Sequence, residues 1–528
     1  MRLDRPAAPT LNWPCADPSP RRVPMQSLHG TEGWIAGYVL LSVVALAAAR
    51  VRGGGSRALL ALPAAALVGC LVAALAEGAI APLLAGAAAS GSVRAVRTLL
   101  AVALLGGTGV AVGVLLTPRG ARDGWRRGAL IVAGAPPRPS GPTAVRFAGE
   151  AVTEADETKH FKLIGTTGTG KSTVIRALLE GARARGDRAI VADAGGAYLA
   201  AFHDPARGDA ILNPFDARAG RWDPFAELRA PYDADQLARA LVAEATGAEQ
   251  AWRQYARSFL SALLGRLAAS GQRDVGELFR LLTAAPAEEL RVLLEGTPAQ
   301  PLLEPGNERM FGSVRAIASA ATHALQHVRA QHGTALSVRR WLREGAGFLY
   351  LPYAADQVAS LQTLVSAWMR LAILEAMSGE GRQQRLWFVV DELDAIGAID
   401  GLKDALARLR KYGGRCVLGF QSIAQVGAVY GAAEAQTIVE NCGNTLILRC
   451  SAAEHGGTAR FAAALIGERE VLRVAPADLG WRARAAPQAL LEPALLPAEI
   501  EQLPDLRGFV KLASQPHWRE VSVPRDGA

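Results

Sequence analysis

The protein has 528 residues, enough for two to four domains of about 100–200 residues each. Half of its residues are hydrophobic, and 57 basic residues against 49 acidic ones give a formal net charge of +8, which permits contact with nucleic acid or anionic lipid. Five cysteines without a CxxC pair and eight histidines without an HExxH motif argue against a zinc protein or a dithiol redox protein.

The apolar excess is concentrated near the amino terminus, in three uncharged segments at 33–49, 58–76 and 98–116. Each is close to the ~20 residues that a helix needs to cross a bilayer, and their Gly and Ala content suits helix packing in lipid. A polar tail over 1–32 precedes them, which argues against a cleaved signal peptide. We therefore predict a transmembrane region of about three helices over 33–117. The segment over 78–93 is either a fourth short span or an external loop, and the alternative for all of these segments is buried helices of a soluble domain.

Arginines follow the last apolar segment directly, at positions 119, 122, 126 and 127. By the positive-inside rule, they place that end and everything after it in the cytoplasm. Residues 118–150 are rich in Pro, Gly and Arg and are typical of a linker. Beyond them, strand-like and helix-like segments alternate, which predicts an α/β domain.

The sequence from Phe161 to Thr173 joins an apolar strand to a GxxxxGKS loop and a following helix. Glycines let the loop backbone turn its N–H groups toward phosphate oxygens, a lysine reaches the β- and γ-phosphates, and a serine hydroxyl binds Mg²⁺. Lysine is scarce in this chain, so Lys171 in the required place is a strong signal. The alternative is a Gly/Thr-rich turn before an ordinary helix. The predicted nucleotide-binding residues are Gly165, Thr166, Thr167, Gly168, Thr169, Gly170, Lys171, Ser172 and Thr173.

Two short strand-like segments follow, at 188–196 and 210–216. The first ends at Asp193, which we expect to face the site. From about 226 to 340 apolar residues recur at helical spacing, which predicts an all-α insertion into the sheet. Trp252, Arg253, Tyr255 and Arg257 alternate aromatic and basic side chains there. This pattern could stack and neutralise single-stranded nucleic acid, but an ordinary amphipathic helix with solvated arginines is the favoured interpretation.

The segment Leu386–Glu392 is a continuous apolar run that ends in two carboxylates. Such a strand delivers Asp391 to the Mg²⁺ beside Ser172 and places Glu392 to polarise the attacking water. A further strand ends at Gln421, which places this side chain at the same edge of the sheet; by analogy with ring ATPases, a polar residue there contacts the γ-phosphate or its water. Together these residues predict ATP hydrolysis with ATP and Mg²⁺ as cofactors, and the predicted catalytic residues include Lys171, Glu392 and Gln421.

The predicted fold class is therefore α/β: a RecA-like P-loop NTPase with a mostly parallel central sheet, an all-α insertion and an amino-terminal transmembrane helical region. The predicted domains, in chain order, are a tail over 1–32, the transmembrane region over 33–117, a linker over 118–150, the nucleotide-binding domain over 151–225 and 341–515, the insertion over 226–340, and a tail over 516–528.

With these pieces, residues 25–515 resemble the coupling proteins of conjugative type IV secretion, TraD-like and TrwB-like, which are related to the FtsK and HerA motor ATPases. The carriers are the apolar start, the loop above, Asn213-Pro-Phe-Asp216 with Trp222-Asp-Pro-Phe225, the helical insertion, Leu386–Glu392, and Gly419-Phe-Gln-Ser-Ile-Ala-Gln425 with Tyr430-Gly and Glu434-Ala-Gln-Thr437. The resemblance implies a hexameric ring and a γ-phosphate role for Gln421. It also implies a trans-acting arginine on the helix after the acid pair, a position that Arg410 takes here.

The resemblance predicts a multi-pass protein of the bacterial inner membrane with a cytoplasmic ATPase domain. Its expected partners are DNA, a relaxase or relaxosome, the components of the secretion channel and other copies of the same chain. The alternatives are a membrane receptor that uses nucleotide only as a switch and an FtsK-like DNA translocase. Two departures are visible: three apolar segments where many members have two, and no long acidic tail for contact with a relaxosome protein.

Overall fold

The computed structural model of the protein describes residues 31–51, 103, 106–111, 124–133, 145–245, 247–378, 385–452, 457–474 and 487–524. The chain divides into two compact units, residues 1–124 with 472–488 and residues 125–471 with 489–528. Residues 1–30 of the predicted tail over 1–32, the apolar segment over 58–76 and most of the segment over 98–116 lie outside the described residues.

In the first unit, helix α1 spans Thr31–Val51 and covers the first predicted apolar segment. Leu41 and Ala45 on this helix are buried. Gly109, in a short helical stretch over 106–111, lies against the α1 backbone at Leu41. None of the helices in the described part of the chain combines the length and the apolarity needed to cross a membrane.

The second unit is built on a ten-stranded sheet in the order β2-β17-β16-β13-β5-β12-β11-β6-β10-β7. From β13 to β7 all neighbouring strands run parallel, whereas β16 and β17 pair antiparallel. The predicted α/β fold with a mostly parallel central sheet is confirmed. Its strands are β2 Ile131–Val132, β5 Phe161–Ile164, β6 Arg188–Ala194, β7 Ala210–Ile211, β10 Phe348–Tyr353, β11 Leu386–Val390, β12 Gly414–Phe420, β13 Asn444–Ile447, β16 Arg507–Lys511 and β17 Trp518–Ser522.

The central strands are apolar on both faces because helices cover the sheet on both sides. In β11, Trp387 and Val389 point into one core, and Phe388 and Val390 point into the other. The first core holds α3 (Lys171–Ala184) and α4 (Ala197–Phe202), which follow the short helix α2 (Glu154–Glu157). The second core holds the long helix over 358–378 and merges with the core of the helical insertion.

The segment between β7 and β10 is mainly helical in its described residues. Two short strands, β8 (Arg221–Trp222) and β9 (Ala335–Leu336), pair in parallel where the chain enters and leaves it. β9 therefore lies inside the range predicted to be all α. The helices here are α5 Asp233–Leu241, α6 Gln250–Ser270, α7 Val275–Thr283, α8 Ala287–Leu293, α9 Glu308–Ala321, α10 Leu325–Arg329 and α11 Val338–Glu344.

Glu227 connects the two ends of this helical segment. Its buried carboxylate accepts hydrogen bonds from the Trp222 indole (3.0 Å), the Ser337 hydroxyl (3.0 Å) and the backbone N–H groups of Val338 and Arg339. Burial raises the pKa of Glu227, and these donors oppose the rise. The carboxylate thus joins the strand that enters the segment to the helix that leaves it.

The long helix over 358–378 is α12 (Val358–Ser378). The helices after it are, in chain order, α13 Leu402–Arg408, α14 Ile423–Tyr430, α15 Ala432–Asn441, α16 Gly457–Ile466 and α17 Pro497–Glu501. Two small sheets are formed by β1 (Gly124–Gly128), β14 (Glu468–Val474) and β15 (Pro487–Pro493), and by β3 (Arg146–Phe147) and β4 (Glu150–Ala151). The ranges predicted as linker (118–150) and tail (516–528) therefore contain strands, since β2 and β17 extend the main sheet at one edge.

Candidate functional site

The glycine-rich loop lies at the carboxyl end of β5, as predicted. Gly168 (φ 77°) and Gly170 (φ 116°) adopt backbone angles that side chains disfavour, and Gly170 directly precedes α3. The loop is held from outside, because the N–H of Thr166 donates to the carbonyl of Arg449 (2.9 Å) and the N–H of Leu506 donates to the carbonyl of Thr169 (3.0 Å). The first N–H groups of α3 have no intrahelical acceptor, as at the start of any helix, and can donate to an anion bound at the loop.

Lys171 is folded back onto its own loop. Its Nζ donates to the carbonyls of Gly165 (2.7 Å) and Thr166 (3.1 Å), and the residue is buried. Burial lowers the pKa of Lys171, while the carboxylates of Asp391 and Glu392 oppose that shift. An anion at the loop would therefore meet a lysine that is already positioned and held by two replaceable hydrogen bonds.

Ser172 and Asp391 meet as the sequence predicts. The Ser172 hydroxyl donates to Asp391 Oδ2 at 2.9 Å, and the Tyr198 hydroxyl donates to the same oxygen at 2.8 Å. Asp391 is buried, and its Oδ1 has no hydrogen-bond partner among the described residues. An unpartnered carboxylate oxygen beside a serine hydroxyl fits a hydrated divalent cation such as Mg²⁺, which Ser172 and Asp391 would hold together.

Gln421 bridges the loop and the second acid. Its side-chain N–H donates to Glu392 Oε1, and its own carbonyl oxygen accepts from the Thr167 hydroxyl at 2.9 Å. Glu392 and Gln421 are both partly exposed to solvent. The bridge spans the space beside the loop, so a bound phosphate chain and its water would lie within reach of both side chains.

The sheet order explains why these residues come together. β12, which ends just before Gln421, lies between β5, which leads into the loop, and β11, which ends just before Asp391. Because all three strands are parallel, their carboxyl ends meet at one edge of the sheet. Residues separated by more than 200 positions in sequence thus become neighbours.

Asp193 and Tyr198 form a support beside the acid pair. β6 pairs in parallel with β11, so Asp193, one residue beyond the pair Ala192–Val390, lies beside Asp391. Its carboxylate accepts from the backbone N–H groups of Tyr198 (3.3 Å) and Leu199 (2.7 Å) at the start of α4. Burial raises the pKa of Asp193 to about 6, and burial likewise raises the pKa of Tyr198. Asp193 was expected to face the site; its carboxylate instead fixes the helix that carries Tyr198.

No motif in the sequence pointed to Tyr198. A glycine pair after Asp193 marks a turn, but nothing in the sequence fixes the direction of an aromatic side chain in the six-residue helix that follows. The one relevant feature of the sequence is that an apolar strand ends at an acidic residue, Asp193, which is typical of a strand end near the site.

Arg410 lies away from the other predicted residues. It is exposed, in a 3₁₀ turn over Leu409–Tyr412 at the amino end of β12, whereas Gln421 follows the carboxyl end. The seven residues of β12 separate the two ends by about 20 Å at the usual rise per residue. Among the described residues, Arg410 has no ion-pair partner. The structure thus does not bring Arg410 to the loop of its own chain.

The aromatic and basic side chains of α6 divide into two groups. Trp252 and Tyr255 are 38% and 41% exposed and contact each other edge to face, with ring centroids 6.4 Å apart. Arg253 lies 3.7 Å from Glu249, but Arg257 is buried and donates from Nε to the carbonyl of Val242. Only the two aromatic rings and Arg253 therefore remain available at the surface.

A strand, a glycine-rich loop and a helix follow one another at the edge of this parallel sheet, and one further strand lies between the loop strand and the acid strand. This arrangement defines a RecA-like P-loop protein. The family described as "Type IV secretion-system coupling protein DNA-binding domain" matches residues 144–524. The chain belongs to this family, as its motifs predicted.

Known relatives agree with this assignment. The coupling protein TraD of Escherichia coli (strain K12) is 32% identical over 337 residues, which are 62% of this chain and 46% of TraD; the chain thus matches about half the length of that relative. The unbound bacterial conjugative coupling protein TrwBΔN70 is 31% identical with a TM-score of 0.69, covering 76% of this chain and 93% of that one. The plasmid coupling protein TrwB in complex with ADP and Mg²⁺ is also 31% identical, with a TM-score of 0.68 over 77% of this chain and 96% of that one.

Proposed function

We propose that this protein is an ATP-hydrolysing coupling protein of a conjugative type IV secretion system. In this role it binds ATP with Mg²⁺ at the loop over 165–173 and uses hydrolysis to recruit DNA, with an attached relaxase, and to drive it toward the secretion channel. The observation that carries the proposal is the convergence of the loop, Asp391, Glu392 and Gln421 at one sheet edge. Family membership and a relative solved with ADP and Mg²⁺ support it.

Each residue has a part in this reaction. Lys171 would leave the carbonyls of its loop to bind the β- and γ-phosphates, and Ser172 with Asp391 would hold Mg²⁺. Glu392 would orient and polarise the attacking water, and Gln421 would link that water to the loop through Thr167. When bound, Mg²⁺ supplies charge neutralisation between the phosphates.

Arg410 completes the site from a neighbouring subunit in the proposed ring. Its place at the far end of β12 separates it from its own loop and leaves it exposed for contact with another copy. An arginine in this role is worth about 10³–10⁵ in rate in the enzymes where it has been examined. We propose a hexamer, so that each of the equivalent sites lies between two subunits.

The remaining parts of the proposal concern the membrane and DNA. The apolar segments over 58–76 and 98–116 support attachment to the bacterial inner membrane with the ATPase domain in the cytoplasm. The net charge of +8 and the exposed rings of Trp252 and Tyr255 support contact with single-stranded DNA. The description of the family as a DNA-binding domain agrees with this partner.

The decisive experiment combines ATP hydrolysis with plasmid transfer. Purified full-length protein should hydrolyse ATP faster when DNA is added, and Lys171→Ala should abolish both hydrolysis and transfer. Glu392→Gln should bind ATP, fail to hydrolyse it and stop transfer. If transfer continued with Glu392→Gln, the protein would act as a nucleotide-switched receptor for its cargo, and the motor proposal would be wrong.

A further inference from the structure

The carboxylate of Asp391 is held from two sides by hydroxyl groups. Ser172 comes from the loop and Tyr198 from α4, and both donate to Oδ2, at 2.9 and 2.8 Å. Because both donors occupy the same oxygen, the carboxylate plane has a fixed orientation. Oδ1 is the oxygen that stays without a partner in the described residues, and it is sealed from bulk water.

Tyr198 is held in place by core packing and by hydrogen bonds. The residue is 1% exposed, and its ring packs in the core that holds α3 and α4. Its backbone N–H and that of Leu199 donate to the carboxylate of Asp193, which ends the strand next to β11. The position of the Tyr198 hydroxyl therefore depends on Asp193 at the end of β6, and β6 pairs directly with β11, the strand that leads to Asp391.

Packing alone does not require this hydroxyl. A phenylalanine would fill the same core volume without bringing a polar group into it, and a buried hydroxyl needs a partner. Asp391 supplies that partner. The hydroxyl in turn restrains a carboxylate that the exposed Ser172 at the start of α3 would hold less firmly on its own.

We propose that Tyr198 is a positioning residue for the metal site: by donating to Asp391 it holds the carboxylate that would bind Mg²⁺, and it thereby sets the affinity of the nucleotide site for the cation. The inference rests on the proposed nucleotide site. Groups that orient metal ligands typically change metal affinity or activity by about 10–100-fold when they are removed. Tyr198 is 1% exposed and lies outside the loop over 165–173, so binding of nucleotide without metal should not depend on its hydroxyl.

The test measures how strongly Mg²⁺ tightens the binding of a fluorescent ADP analogue to the full-length protein. Titrations with Mg²⁺ and with EDTA give the ratio of the two dissociation constants. In Tyr198→Phe we expect this ratio to fall about 10-fold, with unchanged affinity in EDTA. Asp193→Asn, which keeps the hydroxyl but weakens the anchoring of α4, should lower the ratio in the same direction by a smaller factor.

Tyr353→Phe is the matched control. It removes another buried hydroxyl, at the end of β10, which pairs with β6. This hydroxyl has no hydrogen-bond partner in the described part of the chain, so the ratio should stay unchanged. A wild-type ratio in Tyr198→Phe would overturn the inference, as would an equal loss in Tyr353→Phe. Since the measurement needs neither hydrolysis nor DNA, a protein that showed the Mg²⁺ effect but no ATPase activity would refute the proposed motor function alone.

Discussion

The hydroxyl of Ser172 lies 2.9 Å from Asp391 Oδ2, although 219 positions separate the two residues in the chain. The contact joins the first residues of α3 to the end of β11. It forms because β5 and β11 both pair in parallel with β12, which lies between them, so their carboxyl ends are close together. The same contact gives the proposed metal site its two ligands.

Replacing Ser172 with alanine should therefore separate metal-dependent from metal-independent binding. Ser172→Ala removes one cation ligand and one donor to Asp391, and we expect ATP hydrolysis to fall at least about 10²-fold. Binding of nucleotide in EDTA should change little, because the loop N–H groups and Lys171 remain. Steady-state hydrolysis and fluorescent-nucleotide titration measure the two effects.

Ser313→Ala is a suitable control for this variant, since Ser313 is exposed on α9 and, within the described residues, its hydroxyl bonds only to the carbonyl of Arg309. It should hydrolyse ATP at the wild-type rate. Wild-type hydrolysis by Ser172→Ala itself would contradict the assignment of Ser172 as a cation ligand.

The bridge from Thr167 through Gln421 to Glu392 predicts a specific defect. Gln421→Ala leaves Glu392 without its donor and detaches it from the loop. By analogy with the loss of one preorganised donor, we expect the turnover number to fall about 10²-fold, with the affinity for ATP within about threefold of wild type. A parallel loss of ATP affinity would show instead that Gln421 belongs to the binding surface of the loop.

The sequence predicted the convergence at this edge because each residue ends an apolar strand and carries a recognisable motif. It could not predict Tyr198, whose direction depends on how α4 packs. It also did not predict β16 and β17, which are short and carry charged residues. They extend the sheet by antiparallel pairing, β16 with β13 and β17 with β16. Arg410 was named by resemblance, and the contact proposed for it lies on another subunit.

His160 links the loop strand to the segment that carries Arg410, and it predicts a pH dependence of stability. One ring nitrogen lies 2.8 Å from the carbonyl of Leu406, and the other lies 3.0 Å from the backbone N–H of Cys416. The imidazole can satisfy both only when neutral, and burial lowers the pKa of His160 from 6.5 to about 4. The unfolded chain then binds a proton more readily than the folded chain.

Stability from this residue is therefore complete at neutral pH and is lost as the pH falls from about 7 toward about 4. We expect the free energy of unfolding to drop by about 2 kcal/mol between about pH 7.5 and about pH 5 from His160 alone. Denaturant titrations at both pH values measure this drop. His160→Asn, which tolerates the positive φ of 59° but does not titrate, should lower stability at both pH values and reduce the drop by that amount. An unchanged drop in the variant would assign the pH dependence to other groups.

Arg410 offers the sharpest test of a site shared between subunits. Arg410→Ala and Lys171→Ala should each reduce ATP hydrolysis by about 10³-fold or more, for different reasons: one lacks the arginine given to its neighbour, and the other lacks a working loop. Arg410→Ala should still bind ATP. Arg408→Ala, which removes an equally exposed arginine two positions earlier, should keep wild-type activity.

Mixing the two inactive proteins then distinguishes the models of the site. In a mixed ring, an intact loop from an Arg410→Ala subunit can face an intact arginine from a Lys171→Ala subunit, so hydrolysis should reappear and should be greatest near equal amounts. If Arg410 acted on the loop of its own chain, no interface in the mixture would be complete, and activity would stay at the level of the separate variants. The position of Arg410 at the opposite end of β12 from Gln421 predicts recovery.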